Sequence, residues 1–132
     1  MSKRKKILIA ARVEYTQTIK GTLKVLEYEN LTVCKADYHD INDEITEAFA
    51  KDKPFDLLII DEKLSHGLGL GLLKNFRNRH HNNTPIIIVF EHEPDLLNNL
   101  LVVQLRFAAC LNPPFSINRL KAAIKAVTPH NA

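Results

Sequence analysis

The residue best placed to do chemistry in this sequence is an aspartate that ends an apolar run, within the segment LIIDEKLSHGLGLG at positions 58–71. Apolar runs of this kind cross the middle of a sheet, so Asp61 is expected at the end of a buried strand, facing a crevice. A carboxylate there can hold a cation or accept a phosphoryl group, but both uses need neighbouring groups that bind or neutralise charge. The function of Asp61 therefore depends on which residues the fold places beside it.

The composition is that of a globular protein, because 45% of the 132 residues are hydrophobic and 25% are charged. No apolar stretch approaches the ~20 residues of a membrane span, and the basic start MSKRKKILIA lacks the apolar region and cleavage site of a signal peptide. The net charge of +3 is mild, and no cluster of basic and aromatic residues indicates a nucleic-acid site. We therefore expect a cytoplasmic protein with no membrane or nucleic-acid partner. It should form a single domain over 1–132, with a leader at 1–5, a core at 6–127 and a tail at 128–132.

Five short apolar runs alternate along the chain with five longer segments of helical periodicity. The runs lie at positions 6–11, 31–36, 55–61, 85–90 and 107–112. Strict alternation with short connections predicts right-handed βαβ units and a parallel sheet covered by helices on both faces. We therefore predict an α/β, flavodoxin-like three-layer sandwich, whose five-stranded parallel sheet has the order 2-1-3-4-5, with five helices. In that order the crevice lies beyond the carboxyl ends of strands 1 and 3, and Asp61 ends strand 3.

Two motifs carry a family resemblance. In FDLLIIDEKLSHGLGLGLLKNFR (55–77) a buried strand ends in Asp61, and Gly69 follows eight residues later; PPF at 113–115 precedes the last predicted helix. With these motifs the chain resembles, over 6–127, a receiver domain of two-component response regulators, the CheY-like family. The resemblance implies a signalling module of a phosphorelay rather than an enzyme, and it makes Asp61 the equivalent of the phosphoacceptor.

The other positions of the receiver site depart from the family pattern. Receivers carry an acidic pair after the first strand, a Thr or Ser ending the fourth, an aromatic residue in the fifth, and a Lys before the late proline. The residues at these positions are Ala11 and Arg12, Phe90, Cys110 and Pro113. Because Mg²⁺ requires hard oxygen ligands, we expect no magnesium, other metal or cofactor and no catalytic residue. Phosphorylation of Asp61 should be impaired or absent, which makes the chain an atypical receiver.

Arg12 indicates a different arrangement of the site. A guanidinium cannot be deprotonated and can hold a carboxylate through two hydrogen bonds. One hypothesis is that Arg12 pairs with Asp61, takes the place of Mg²⁺ and holds the site in one state; the alternative is that Arg12 lies out in solvent. Lys63 is a second cation within possible reach of the site. Glu14 is interpreted as a solvated residue at the start of a helix rather than as a metal ligand.

Other candidate sites carry weaker signals. Cys34 and Cys110 lie far apart in strand-like runs, which predicts buried free thiols and neither a disulfide nor a metal site. His80 and His81 adjoin in a polar loop, where neighbouring side chains diverge and spacing supplies no further ligand. The segment GLGLG at 67–71 does not complete a glycine-rich phosphate loop.

The segment PDLLNNLLVVQLRF at 94–107 carries more apolar residues than one core-facing stripe of a helix requires. Some of them should be exposed, and contiguous exposed apolar surface indicates a partner. In receivers the fourth helix, fifth strand and fifth helix form the common dimer and effector face. The predicted partner face consists of Leu97, Leu101, Val102 and Leu105. We expect a protein partner, such as a histidine kinase or an effector, or a second copy in a homodimer; the alternative is a helix end packed under neighbouring loops.

A different class of function fits the same sheet. The alternative is a small flavin- or nucleotide-binding protein, which the absorbance of the purified protein would reveal. A DNA-binding regulator is not expected, because the sequence ends at Ala132, soon after the last predicted helix. The sequence does not distinguish a separate domain from a fragment of a longer regulator.

Overall fold

A computed structural model describes residues 5–34, 38–61, 69–80, 84–90, 106–112 and 115–127. Within these ranges the chain forms five strands and four helices. The strands are β1 (Ile7–Ala10), β2 (Leu31–Val33), β3 (Leu57–Asp61), β4 (Ile86–Val89) and β5 (Ala109–Leu111). The helices are α1 (Val13–Val25), α2 (Tyr38–Ala50), α3 (Gly69–His80) and α4 (Ile117–Val127). The helix expected between β4 and β5, with the predicted partner face, falls on residues 91–105, outside the described ranges.

All five strands run parallel, in the order β2-β1-β3-β4-β5. This order and direction confirm the flavodoxin-like fold that the alternation of apolar runs and helical segments predicts. The central strands β1, β3 and β4 are buried along their whole length, as strands covered on both faces must be. The shorter and more polar β2 lies at one edge and is partly exposed. Its weaker apolar pattern thus reflects its edge position.

Two hydrophobic clusters, one on each face of the sheet, form the core. Successive side chains of a strand point to opposite faces, so Leu58 and Ile59 enter different clusters. The first cluster joins the sheet to α2 and α3 through Ile41, Ile45, Ala48, Leu73 and Phe76. The second joins it to α1 and α4 through Ile19, Leu23, Leu120 and Ile124. Full burial of one such Leu or Ile side chain stabilises the fold by about 1.5–3 kcal/mol. None of the described helices is long and apolar enough to cross a membrane.

Local signals set where the helices next to the crevice begin. Ser116 is the N-cap of α4, because its Oγ accepts a hydrogen bond from the main-chain N–H of Arg119 at 3.1 Å. At the start of α1, the carbonyl of Arg12 accepts from the main-chain N–H groups of Tyr15 and Thr16. Only Ala11 and Arg12 separate β1 from α1. This short connection fixes Arg12 at the carboxyl edge of the sheet.

Candidate functional site

Asp61 is the last residue of β3 and is fully buried, with no exposed side-chain surface. Its strand lies between β1 and β4, and its register partner in β4 is Val89. Ala10 of β1 pairs with Ile60, so the residues that follow β1 reach the edge where Asp61 sits. A carboxylate in such a place is costly unless donors or a cation replace the lost water.

Arg12 supplies both a donor and a cation to this carboxylate. Its Nε donates to Asp61 Oδ2 at 2.7 Å, and its main-chain N–H donates to the same oxygen at 3.1 Å. The pairing of Arg12 with Asp61 is therefore confirmed, and the alternative that placed Arg12 in solvent is wrong: the arginine side chain is only 22% exposed. That the pair takes the place of Mg²⁺ and holds the site in one state stays a prediction. The geometry differs from the expected two-pronged grip, because one donor is the main chain and both bonds meet a single oxygen. The short Nε bond is charge-assisted, which makes it one of the stronger contacts a protein forms.

The side chains of Tyr15 and Glu14 lie next to the Arg12 guanidinium. Its Cζ lies 4.8 Å from the centroid of the Tyr15 ring, in cation–π range. Tyr15 in turn contacts Phe115, with 5.7 Å between ring centroids. The Glu14 carboxylate lies 4.0 Å from Nε, but its side chain is 62% exposed, which agrees with a solvated residue at the helix start. The aromatic pair links the Asp61 site to the segment that precedes α4.

Thr16 fixes the turn that carries Arg12. Its buried hydroxyl lies 3.0 Å from the carbonyl of Ala11 and 3.1 Å from that of Arg12, within hydrogen-bond range of both. The residue types did not place Thr16, Tyr15 or Phe115 beside Asp61, although Phe115 belongs to the PPF motif at 113–115. A threonine four residues into a helix often bonds back to the preceding turn, which is the signal that could have identified Thr16. Nothing in the residue types alone reveals the Tyr15–Phe115 contact.

Phe90 places a buried ring directly after β4. It follows Val89 and is 1% exposed, with its ring centroid 6.5 Å from that of Phe107. Its main-chain N–H donates to the carbonyl of Leu111 at 2.8 Å, which continues the pairing of β4 with β5. Ala11 is buried as well and packs in the cluster beneath α1. Neither side chain can donate a hydrogen bond to an anion at Asp61.

The cysteines differ from their predicted burial. Cys110 is exposed and Cys34 is partly buried; both are free thiols. Cys110 is the middle residue of the three-residue edge strand β5, and its two neighbours are less exposed, because successive side chains of a strand alternate in direction. Continuous apolar character therefore does not secure burial in a short edge strand. Pro113 and Lys63 fall outside the described residues, so their predicted roles stay predictions.

An open groove of about 510 Å³ adjoins the Asp61 site. Arg12 and Thr16 line it from the start of α1, and Val33 and Cys34 line it from the end of β2. Burial, followed by the negative charges of Glu44 and Asp40, raises the pKa of Cys34 to about 12. This thiol therefore stays protonated near neutral pH and is a poor nucleophile.

The described residues offer Asp61 few ligands with which to share a divalent cation. Among them, no group of three or more His, Cys, Asp or Glu side chains could hold a metal ion. The two positions after β1 carry a methyl group and a guanidinium, and the guanidinium already bonds Oδ2. This donor set does not suit Mg²⁺, which prefers several oxygen ligands.

The sequence itself matches no family model. It matches no curated protein either. Solved structures with the same fold exist, however, and three of them illustrate the likeness. The chemotaxis response regulator CheY4 of Vibrio cholerae has a TM-score of 0.72 at 19% identity, over 95% of this chain and 100% of that chain. A signal receiver domain of a two-component histidine kinase from Clostridium thermocellum has a TM-score of 0.71 at 17% identity, over 95% of this chain and 98% of that one. The Francisella response regulator 1452 receiver domain gives 0.68 at 21% identity, over 94% and 96% of the two chains.

These likenesses extend over nearly the whole of each structure, at low sequence identity. They show that this chain has the CheY-like receiver fold, which confirms the fold that the two sequence motifs indicated. In this fold Asp61 ends the third strand and Arg12 follows the first, at the same edge of the sheet.

Proposed function

We propose that this chain is a receiver-like signalling module of a two-component or phosphorelay system, in which Arg12 occupies the Asp61 site and Mg²⁺-dependent phosphorylation is impaired or absent. It acts through protein contacts and is not an enzyme. The observation that carries the proposal is the pair of hydrogen bonds from Arg12 to Asp61 Oδ2, at 2.7 and 3.1 Å. The receiver fold supports the signalling part, and the cytoplasmic location expected from the sequence belongs to the same proposal.

The pair opposes phosphoryl transfer in two ways. Two donors engage Oδ2 of Asp61 and stabilise its negative charge, which makes the carboxylate a weaker nucleophile toward a phosphorus atom. The transferred group also brings several negative charges together, and their neutralisation needs a positioned cation such as Mg²⁺. Binding Mg²⁺ at Asp61 would require the guanidinium to leave a carboxylate that has no exposed surface, so the metal would have to displace a charge-assisted hydrogen bond.

The residues that would couple the Asp61 site to distant surfaces also differ from those of typical receivers. A hydroxyl at the end of β4 could bond an anion at Asp61 and move with it, but Phe90 presents a ring packed against Phe107. Cys110 stands on the exposed side of β5. The module therefore binds its partner through a surface that is already formed when Arg12 is paired with Asp61. The predicted face at Leu97, Leu101, Val102 and Leu105 remains our candidate for a kinase, an effector or a second copy.

The test is an amide NMR titration of labelled protein with Mg²⁺ and beryllofluoride, which mimics an aspartyl phosphate. We expect no saturable shifts at Asp61, Arg12 or Phe90. Asp61→Asn serves as the matched control, because it removes the carboxylate that beryllofluoride must bind while retaining the shape of the side chain.

Saturable wild-type shifts that centre on Asp61 and disappear in Asp61→Asn would overturn the proposal and show a working phosphoacceptor. An absorbance spectrum of the same purified sample tests the other class of function. A bound flavin or nucleotide would replace the signalling assignment with the alternative drawn from the sequence.

A further inference from the structure

Helix α1 carries an exposed stripe along the side that faces away from the sheet. Its inner side is buried in the cluster that joins α1 and α4 to the sheet. Side chains four residues apart lie on the same side of a helix. Four exposed residues follow one another at this interval, and we call them the α1 stripe: Val13, Gln17, Gly21 and Val25.

Both ends of the α1 stripe are apolar. Val13, the first residue of the helix, is 84% exposed, and Val25, the last, is 66% exposed. They are two of the four large hydrophobic side chains that stand exposed among the described residues. Single exposed apolar residues are common on protein surfaces, so the two valines indicate a partner only together with the residues between and beside them.

Gly21 makes a notch in the stripe. A glycine inside a helix is costly, because it loses more conformational freedom on folding than alanine does. Apart from its own stretch of helix, no heavy atom of the described residues lies within 4 Å of where a Cβ at this position would stand. Packing within the described part of the chain therefore does not require glycine here, and the notch is open to a side chain of another molecule.

The stripe is complementary to itself when two α1 helices run antiparallel. With the two-fold axis midway between Gln17 and Gly21, Gln17 of each helix lies at the level of Gly21 of the other. The longest side chain of the stripe then faces the notch. The same axis brings Val13 of each copy to the level of Val25 of the other, which places apolar residues together at both ends.

The charges beside the stripe follow the same symmetry. Glu14 lies three residues before Gln17, and Lys24 lies three residues after Gly21. The axis therefore brings each Glu14 to the level of Lys24 of the other copy, and both side chains are exposed. Parallel helices in register would instead place like charges at the same level. Because opposite charges across an interface fix its register, the charges favour the antiparallel arrangement.

We propose that the α1 stripe binds a second copy of this chain, through two antiparallel α1 helices related by a two-fold axis. Such an interface uses the same patch on both subunits, which requires a patch complementary to itself. Each helix has 13 residues and is about 20 Å long. One pair of helices this short belongs at or below the lower limit of standard interfaces, which bury roughly 1,200–2,000 Å², so the dimer should be weak and reversible. The proposal does not depend on the function proposed at Asp61.

Sedimentation equilibrium of the wild-type protein, from micromolar to millimolar concentration, should show a monomer–dimer equilibrium. Gly21→Gln should weaken the dimer by about tenfold or more, because the added side chain fills the notch. The monomer should be at least as stable to urea as the wild type, because glutamine is the better helix former. Ala122→Gln is the matched control, since it adds the same side chain at an exposed position of α4. It should leave the dimer constant within about twofold.

Charge reversal tests the register. Glu14→Lys and Lys24→Glu should each weaken self-association, because each places like charges at the same level. An equimolar mixture of the two variants should associate as tightly as the wild type, because every level then pairs a lysine with a glutamate. A mixture that does not associate would overturn the antiparallel register. A wild type that stays monomeric at millimolar concentration would overturn the proposal, and so would a dimer that Ala122→Gln weakens as much as Gly21→Gln does.

Discussion

At the scale of single residues, the site depends on how the charge of Asp61 is compensated. The carboxylate has no exposed surface, so water cannot solvate it. Arg12 replaces water with a guanidinium Nε and a main-chain N–H, both bonded to one oxygen. Because the main-chain bond survives any side-chain substitution, the guanidinium contribution can be measured separately.

Arg12→Met should lower the free energy of unfolding by about 3–5 kcal/mol at neutral pH, because it leaves a buried carboxylate without its cation. Urea denaturation measures the change. Glu14→Gln is the control, since its exposed carboxylate lies 4.0 Å from the same Nε and should alter stability by only about 0.5 kcal/mol. Asp61→Asn added to Arg12→Met should restore much of the loss. Equal effects of Arg12→Met and Glu14→Gln would show that the buried pair contributes little.

Cys34 should resist alkylation near pH 8. Its pKa is raised from 9.0 to about 12, and this difference of about three pH units lowers its thiolate fraction about a thousandfold. Since the folded-state pKa is raised, the rate should increase with pH up to about 12, well past the range in which an unperturbed thiol saturates. Mass spectrometry after a short pulse of iodoacetamide measures the rate, with urea-unfolded protein as the reference. Modification of Cys34 at the same rate in both states would contradict the raised pKa.

At the scale of elements, α1 and α4 are joined beside the site by aromatic contact. Both helices pack on the same face of the sheet, and Tyr15 of α1 meets Phe115, which lies two residues before α4 begins. The Arg12 guanidinium also lies over the ring of Tyr15. The side chain of Tyr15 therefore connects the Arg12–Asp61 pair to the segment just before α4.

A double-mutant cycle on Tyr15→Leu and Phe115→Leu should give a coupling free energy of about 0.5–1.5 kcal/mol, the usual value for aromatic pairs. Chemical denaturation of the two single variants and the double variant provides the measurement. Tyr15→Leu combined with Ile117→Ala is the matched control, because Ile117 lies next to the pair in sequence but is 54% exposed. Comparable coupling in both cycles would mean that Tyr15 and Phe115 do not interact specifically.

Strands and helices could be predicted from the sequence where burial requires a particular apolar pattern. The runs that contain β1, β3 and β4 are almost wholly apolar because both faces are covered, so pattern alone identified them. Cys110 was misjudged, because a three-residue edge strand can be apolar and still exposed. The Arg12–Asp61 pair followed from sheet order plus complementary charge. Its main-chain bond and the Tyr15 stacking did not, because both depend on the path of the β1–α1 turn.

At the scale of the whole molecule, main-chain amides should be most protected from hydrogen exchange in the central strands of the sheet. Strand β3 is the middle strand, buried on both faces and paired on both sides, whereas β2 and β5 are edges. Local opening costs least where few apolar contacts and ladder bonds must be broken. The sheet is therefore expected to open from its edges inward.

Native-state hydrogen exchange should show the slowest amides at Leu58, Ile59 and Ile60, with opening free energies close to that of global unfolding. Amides of β2 and β5 should exchange faster, because their opening free energies should be lower by roughly 2 kcal/mol or more. Two-dimensional NMR after transfer to deuterated buffer gives both sets in one sample. Uniform protection across all five strands would contradict opening from the edges.

The pairing of β1 with β3 has a consequence for the order of folding events. The two strands meet at a separation of 50 residues in Ile7 and Leu57, and the Arg12–Asp61 bond spans 49. Such distant pairings form only after loop-closure entropy has been overcome, so Asp61 stays hydrated until the central strands have joined. The bond is therefore largely unformed in the transition state for folding, and its main effect is to slow unfolding of the native state. Loss of the Arg12 side chain should accordingly raise the unfolding rate and leave the refolding rate almost unchanged.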